Sequence, residues 1–561
     1  MMTDSASVHA PRDPREKGPF LYLMDRTPLT ASRRADGRFA DETDLDMGRL
    51  RSKLAMMNAL SDPALLAQFD TAAGFRRTVA AIGIAVSAPG GGRVRAEWVL
   101  YGSRSRYGSG TRFVFDCPAD GRENLLWLGE ADESGDEAAC GELLFFFDCE
   151  GACAEATVLL YTRPGVACTQ TVREAPPALA GPGWQALLAR AQTSAGDARL
   201  RQKLVRAQQG APLTLGFIGG SITQGAGAKP IHTACYAYQA WQQLQTLLGV
   251  PVGYTKAGIG GTPSELGMIR MEKDLLRHGV PDIAVVEFAV NDNDDETQGR
   301  CYETLVRQIL ALPGAPAVVL LFSVFCDDWN LQERLAPIGR YYGLPMVSVR
   351  DAVVPQFGLT PETGRVLSKR QYFYDSFHPT NEGHLVMAGC LTELFRRTLA
   401  APAPAAVPVP AQPLLGRTFD GIRLLDRAHA LPGAQIDAGD FAARDENLPC
   451  AEPDALFRAE PQFADNWLHA AGAGDAPFVL RLRCRSLFLV EKDSSEDAFG
   501  AAEIRVDGRL CRTVDPHTVG WVHCGALELL EGDTEAPHEI TVRMTEKDRG
   551  RAFAILGFGV C

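Results

Sequence analysis

Four apolar runs, LTLGFIG, DIAVVEFAV, AVVLLFSVF and PMVSV, recur between residue 213 and about residue 398. Helical stretches such as CYETLVRQILAL and NEGHLVMAGCLTELFRRTLA separate them. A strand that is apolar without a break is buried on both faces. With helices between such strands, the pattern predicts an α/β layer structure around a parallel sheet. Sites in sheets of this kind lie beyond the carboxyl ends of the strands.

The flanks have a different texture. At 561 residues the chain is too long for one core, and several domains are expected. After a polar, proline-bearing lead-in (1–20), a helical stretch around DLDMGRLRSKLAMMNAL precedes several short strands. In RVRAEWVLY, Val94, Ala96, Trp98 and Leu100 alternate with Arg93, Arg95 and Glu97, the period of a half-buried strand. RFVFD, NLLWLGE, ELLFFFD and ATVLLYT follow between Gly, Pro and Asp turns, which suggests an antiparallel sandwich. The low-complexity stretch APAPAAVPVPAQP (401–413) reads as a stiff, extended linker. Beyond it, Leu480, Leu482 and Cys484 alternate with arginines, and EIRVDGRL carries an Asp-Gly hairpin signal. The domain plan is therefore a tail (1–20), a β-rich domain with a helical connector (21–200), an α/β domain (201–400), the linker (401–413) and a C-terminal β-sandwich (414–561).

The formal charge of -13 argues against nucleic acid or an anionic membrane as the main partner. No apolar stretch approaches the roughly 18–20 residues that span a bilayer, and the N-terminal lead-in has no apolar signal core. The expectation is a cytoplasmic protein whose 14 cysteines stay reduced. Cys149 and Cys153 are a close pair, with no second pair at zinc-ligand spacing, so neither a metal nor a cofactor is expected.

The first apolar run ends in Gly219-Gly220 and delivers one hydroxyl, Ser221. A serine between a strand and a helix has its hydroxyl exposed and its N–H near a helix start, which suits a nucleophile whose substrate becomes an oxyanion. The same spacing fits a turn serine that caps the next helix. A phosphate loop would need lysine at Ala226, a dinucleotide fingerprint glycine at Pro263, and the common nucleophile elbow glycine at Thr223. Downstream, YDSFHPTNEGH places Asp375 three residues before His378, so a carboxylate can hold one imidazole nitrogen and leave the other to take the serine proton. His384 lies within the following helical pattern and reads as structural. AGIGGTPS follows the strand-like GYTKA and offers the N–H of Gly258; FAVNDND offers the amide of Asn291. With the Ser221 N–H these make a three-donor oxyanion hole. The acidic residues Asp292, Asp294, Asp295 and Glu296 lack the glycine and distal glutamate of a calcium loop.

Gly-Gly-Ser-Ile-Thr, then Gly258-x-x-Gly261, then Val-Asn-Asp, then Asp-x-x-His, in this order, resemble the SGNH (GDSL-like) hydrolase superfamily. The resemblance implies a flavodoxin-like three-layer α/β fold and metal-free ester hydrolysis through a serine acyl-enzyme. By block, Ser221 matches the nucleophile, Gly258 and Asn291 the oxyanion donors, and Asp375 and His378 the rest of the triad. Two positions depart. Lys256 stands where the family often has Asn, which changes the support of the oxyanion loop. Ala289 stands where it often has Gly, a small-for-small exchange. The GGSIT and AGIGGT variants are most similar to the carbohydrate acetyl esterase branch, some members of which join a β-sandwich to the hydrolase domain.

The resulting expectation is a serine esterase that removes O-acetyl groups from oligo- or polysaccharides. A lipid or thioester acyl-hydrolase is the alternative enzyme, and a carbohydrate-binding protein with an inactive hydrolase domain is the non-enzyme reading. Trp329 and Tyr374, near strand ends, are expected to contact the sugar. The expected partner is the acetylated carbohydrate, with no nucleic acid or membrane. A homo-oligomer is compatible with the sequence.

Overall fold

A computed structural model describes residues 19–34, 36–131, 134–166, 174–193, 198–292, 297–402, 405, 408–456, 458–494 and 496–561. Nearly all of the N-terminal lead-in, linker residues 403, 404, 406 and 407, and residues 293–296 of the acidic loop lie outside these. The chain packs as two units. One comprises Met1–Ala178, Gly227–Pro230 and Leu367–Gly383; the other Leu179–Ala226, Ile231–Val366 and His384–Cys561.

In the first unit, strands Phe20–Thr30, Cys153–Thr162, Val79–Ser87 and Asp120–Trp127 form one antiparallel sheet. Ser32–Arg33, Phe39–Asp44, Ala139–Phe147, Arg93–Tyr101 and Thr111–Pro118 form a second. Leu21, Ile82 and Ala156 from the first sheet share a core with Ala96, Trp98, Phe113 and Leu143 from the second, so the two pack as a sandwich. The alternation in Arg93–Tyr101 has one exception. Glu97, expected on the polar face, is 3% exposed; Arg95 donates to it at 2.8 Å and Arg112 at 3.2 Å, which pairs the buried carboxylate.

The second unit contains a parallel sheet in the order Gly253–Gly258, Thr214–Gly219, Ile283–Glu287, Ala317–Phe322, Met346–Ser348. The inner strands Ile283–Glu287 and Ala317–Phe322 are buried at every position, as their apolar runs require; Glu287 is the one charge among them. Helices Tyr236–Leu248, Ser264–Leu275, Arg300–Leu310 and Gln332–Tyr342 lie between successive strands. The C-terminal strands make two more large antiparallel sheets besides a two-stranded one (Cys450–Ala451 with Glu460–Pro461), and the large pair share a core through Leu489 and Phe558 on one and Leu480, Ile504 and Ile540 on the other. Asp507 and Gly508 both have positive φ, 51° and 77°, in the two-residue turn that sets Val506 opposite Arg509. Phe488, Val490 and Leu556 of these sheets pack in one cluster with Leu266 and Ile269 of helix Ser264–Leu275. The C-terminal sandwich is thus part of the same body as the parallel sheet.

Candidate active site

Ser221 opens the four-residue helix Ser221–Gln224 directly after the strand Thr214–Gly219. Close approach explains the glycines around it. A Cβ on Gly220 would lie 2.6 Å from Asn291 Nδ2, and one on Gly258 would collide with the backbone nitrogen of Gln224. The Asn291 side chain therefore lies against the residue before Ser221, and Gly258 packs onto the turn that carries it. Gly219 is the register partner of Gly258. These contacts bring Ser221, Gly258 and Asn291 together along the carboxyl-terminal edge of the sheet, where its strands end.

Several groups hold this edge in place. Arg270, fully buried, donates to the carbonyls of Gly219 (2.9 Å) and Ala257 (3.0 Å) and to Asp274 (3.0 Å). It ties the ends of two neighbouring strands together. Glu287, also fully buried, accepts from Thr223 Oγ1 at 3.0 Å and from Ser323. Lys256 is 1% exposed and donates from Nζ to the Gln224 carbonyl at 2.9 Å. The residue that departs from the family pattern thus satisfies a carbonyl at the end of the short helix of Ser221. Asp292 accepts the Ser264 N–H at 2.8 Å, at the start of the next helix; this carboxylate serves the fold. Both ring nitrogens of His384 are engaged, one by the Tyr236 N–H at 3.1 Å and the other at the Ala226 carbonyl at 3.0 Å.

Asp375 and His378 lie in the first unit, on a tight turn closed by the Tyr374 N–H donating to the His378 carbonyl at 2.8 Å. Asp375 Oδ2 is 2.9 Å from His378 Nδ1, and Oδ1 accepts the N–H groups of Phe377 and His378, each at 2.8 Å. Burial pushes the Asp375 carboxyl up, but the charge and hydrogen bond of His378 and the two backbone donors outweigh it and hold it at about 2. This carboxylate stays ionised and fixes the ring by one nitrogen. Tyr374 lines a cavity of about 380 Å³ within this unit, together with Lys53, Lys229 and Phe373. Its phenol is 2.8 Å from Thr43 Oγ1. Trp329 lies half-buried in the loop after Ala317–Phe322, its ring 5.8 Å from that of Phe325.

Sequence reasoning missed Arg270, Glu287 and Thr223. Of these only Glu287 left a signal, as a charge interrupting the apolar run DIAVVEFAV. It also did not place the C-terminal sandwich beside the Gly258–Gly261 loop. His523 Nε2 donates to the Gly261 carbonyl at 3.0 Å, and burial pulls its imidazole below the ordinary histidine range. A Cβ on Gly261 would lie 3.1 Å from the edge of Trp521, which is 37% exposed. Gln224 also donates to Glu452, and Ile259 bridges to Ala451.

Residues 217–386 match the model of the GDSL-like Lipase/Acylhydrolase family. Among solved structures the chain is similar to a two-domain esterase (CEX) active on acetylated mannans, at 26% identity and a TM-score of 0.57, over 66% of this chain and 98% of that one. A second structure, of the esterase co-crystallized with mannopentaose, matches at 26% identity and a TM-score of 0.56, with the same coverage. No curated protein matches the chain by sequence. No helix among the described residues is long and apolar enough to cross a membrane.

Proposed function

We propose, from the match of residues 217–386 to the GDSL-like Lipase/Acylhydrolase family model, that the chain is a serine esterase that removes O-acetyl groups from carbohydrates. The observation that carries this reading is the convergence of Ser221, Gly258 and Asn291 at one sheet edge. The strand order 2-1-3-4-5 of the parallel sheet supports a flavodoxin-like layering.

In this reading Ser221 Oγ attacks the acetyl carbonyl carbon while Nε2 of His378 takes its proton. Asp375 holds Nδ1–H, so the reactive nitrogen presents its lone pair and the imidazolium that forms is stabilised. The N–H groups of Ser221 and Gly258 and the amide of Asn291 receive the tetrahedral oxyanion. Collapse breaks the bond to the sugar oxygen, which takes the proton from the imidazolium and leaves as a free hydroxyl. A water then attacks the acetyl-serine by the same steps and releases acetate.

A carbohydrate leaving group is supported by the similarity to an esterase active on acetylated mannans. It is also supported by the half-exposed Trp521 beside the Gly258–Gly261 loop, an aromatic face of the kind sugars pack on. The test is incubation with a panel of acetylated manno-, xylo- and cello-oligosaccharides, read by mass loss per acetyl group, with Ser221→Ala as control. Acetate release by native protein alone supports the reading. Turnover only of long-chain acyl esters or thioesters would favour the lipid alternative; no turnover with retained glycan binding would favour an inactive carbohydrate binder.

A further inference from the structure

Lys53 places a buried ammonium in the first unit. It lies on helix Arg49–Asn58, is 4% exposed, and its ammonium nitrogen has no hydrogen-bond partner. A buried, unbonded cation destabilises a fold unless something nearby compensates, and an apolar side chain of similar length fills the same space at lower cost. The compensation here comes from the acid–base turn. Lys53 Nζ sits 4.0 Å from the centroid of the Tyr374 ring, within cation–π range. Burial pulls the ammonium down to about 8 against the opposing field of Asp375.

Other residues grip the same turn. Thr43, on strand Phe39–Asp44 and 3% exposed, pairs its hydroxyl with that of Tyr374 at 2.8 Å. Lys229 Nζ is 5.7 Å from the Tyr374 ring and 2.8 Å from Asp41, whose other oxygen accepts the Thr30 N–H. The backbone N–H and carbonyl of Lys229 each bond the side chain of Asn381 at 2.7 Å. The turn from Tyr374 to Asn381 is therefore held at both ends, and Tyr374 is itself the donor that closes the turn onto His378.

We propose that Lys53 is a positioning residue for the acid–base turn, acting on Asp375 and His378 through the ring of Tyr374, with Thr43 as its partner on the phenol. The N-terminal sandwich is then the scaffold of the catalytic base as well as an appended module. The inference rests on the esterase reading for its kinetic arm only.

The experiment compares K53M, K53Q, K53R and T43V in the full-length chain, on a small activated acetyl ester and by histidine ¹⁵N NMR. K53M is expected to lower kcat at least tenfold with KM within twofold of native, while Tm is unchanged or higher. K53R, which keeps a cation over the ring, should recover most of the loss, and T43V should lower kcat about threefold. K53Q is read alongside, so that poor folding of K53M alone does not decide the result. The His378 Nδ1–H resonance, identified by its loss in H378A, should shift or broaden in K53M and K53Q, whether or not the protein turns over the ester. Native-like kcat in the folded neutral variants with an unmoved resonance would overturn the proposal. So would equal losses in K53M and K53R accompanied by a fall in Tm, the signature of a purely structural lysine. If the native protein and S221A are equally inactive, the esterase reading fails, and the resonance alone then decides whether Lys53 positions the ring.

Discussion

Ser221 sits where a strand of the parallel sheet runs into its own short helix, and Gly258, Asn291, Arg270, Lys256 and Glu287, which surround or brace that edge, come from the strands and helices of the same α/β body. Asp375 and His378 sit on a turn whose outside supports, Thr43, Lys53 and the Asp41–Lys229 pair, come mainly from the N-terminal sandwich. Ser221, the proposed nucleophile, is fixed by topology, since a strand end and close-packed glycines leave it one place to be. Asp375 and His378, the proposed acid–base pair, are fixed by their own short loop of hydrogen bonds and by the N-terminal sandwich. Substitutions on the first side should therefore remove chemistry or collapse packing. Those on the second should detune a ring that remains present.

The largest expected effect is at the nucleophile. Ser221→Ala should lower turnover of an acetyl ester by about 10⁴- to 10⁶-fold, with Tm within a few degrees. A variant retaining a tenth of native turnover would end the assignment.

Next is Asp375→Asn, expected to lower kcat by about 10⁴-fold by favouring the wrong imidazole tautomer. It also has a pH signature. The Asp375 carboxyl is depressed from 3.8 to about 2 on folding. The stability it contributes is therefore complete above about pH 4 and is lost as pH falls through 2, a difference of about 2 kcal/mol. Chemical denaturation of native protein and variant at pH 5 and at pH 2 checks this: the gap between them should close at the lower pH. A gap independent of pH would show that the carboxylate gains nothing from its three donors.

Asn291→Ala tests the other side again at lower amplitude. Loss of one oxyanion donor costs about 10²- to 10³-fold in kcat, and KM should hardly move because the ground-state carbonyl is bonded less strongly than the oxyanion. A rise in KM with unchanged kcat would make Asn291 a binding residue instead.

Most of the nucleophile side was legible in the sequence because its signals are local. Unbroken apolar runs predict buried strands, and GGSIT, AGIGGT and VND mark where they end. Asp-x-x-His was legible too, since a three-residue spacing is enough to pair a carboxylate with an imidazole. The supports were not. Arg270 is one arginine in a helical stretch, and only the fold shows that it reaches two strand ends. Thr43 and Lys53 lie more than three hundred residues from Tyr374 in sequence, and nothing in DETD or RSKLAMM announces a partner. Tyr374, expected as a sugar contact, has its hydroxyl bonded to Thr43 and its ring beneath Lys53, contacts that the sequence did not announce.

The smallest expected effect concerns Trp521. An acetyl group offers little binding energy, since a methyl is worth only about 1 kcal/mol, so discrimination among acetylated sugars has to come from contacts with the glycan. Trp521 is an exposed tryptophan that packs at the edge of Gly260 and Gly261, just past Gly258, the proposed oxyanion donor. Its ring is steadied by His523, 4.8 Å away between centroids, which bonds the Gly261 carbonyl. Trp98 and Trp467, by contrast, are buried in the cores of the two sandwiches. Trp521→Ala should raise KM for an acetylated oligosaccharide by roughly tenfold, about 1.4 kcal/mol. Activity on a small activated acetyl ester, which has no sugar rings to stack, should stay within twofold. Equal losses on both substrates would mean that the ring only braces the Gly258–Gly261 loop. No loss on either would place glycan recognition elsewhere, with the half-buried Trp329 the next residue to replace.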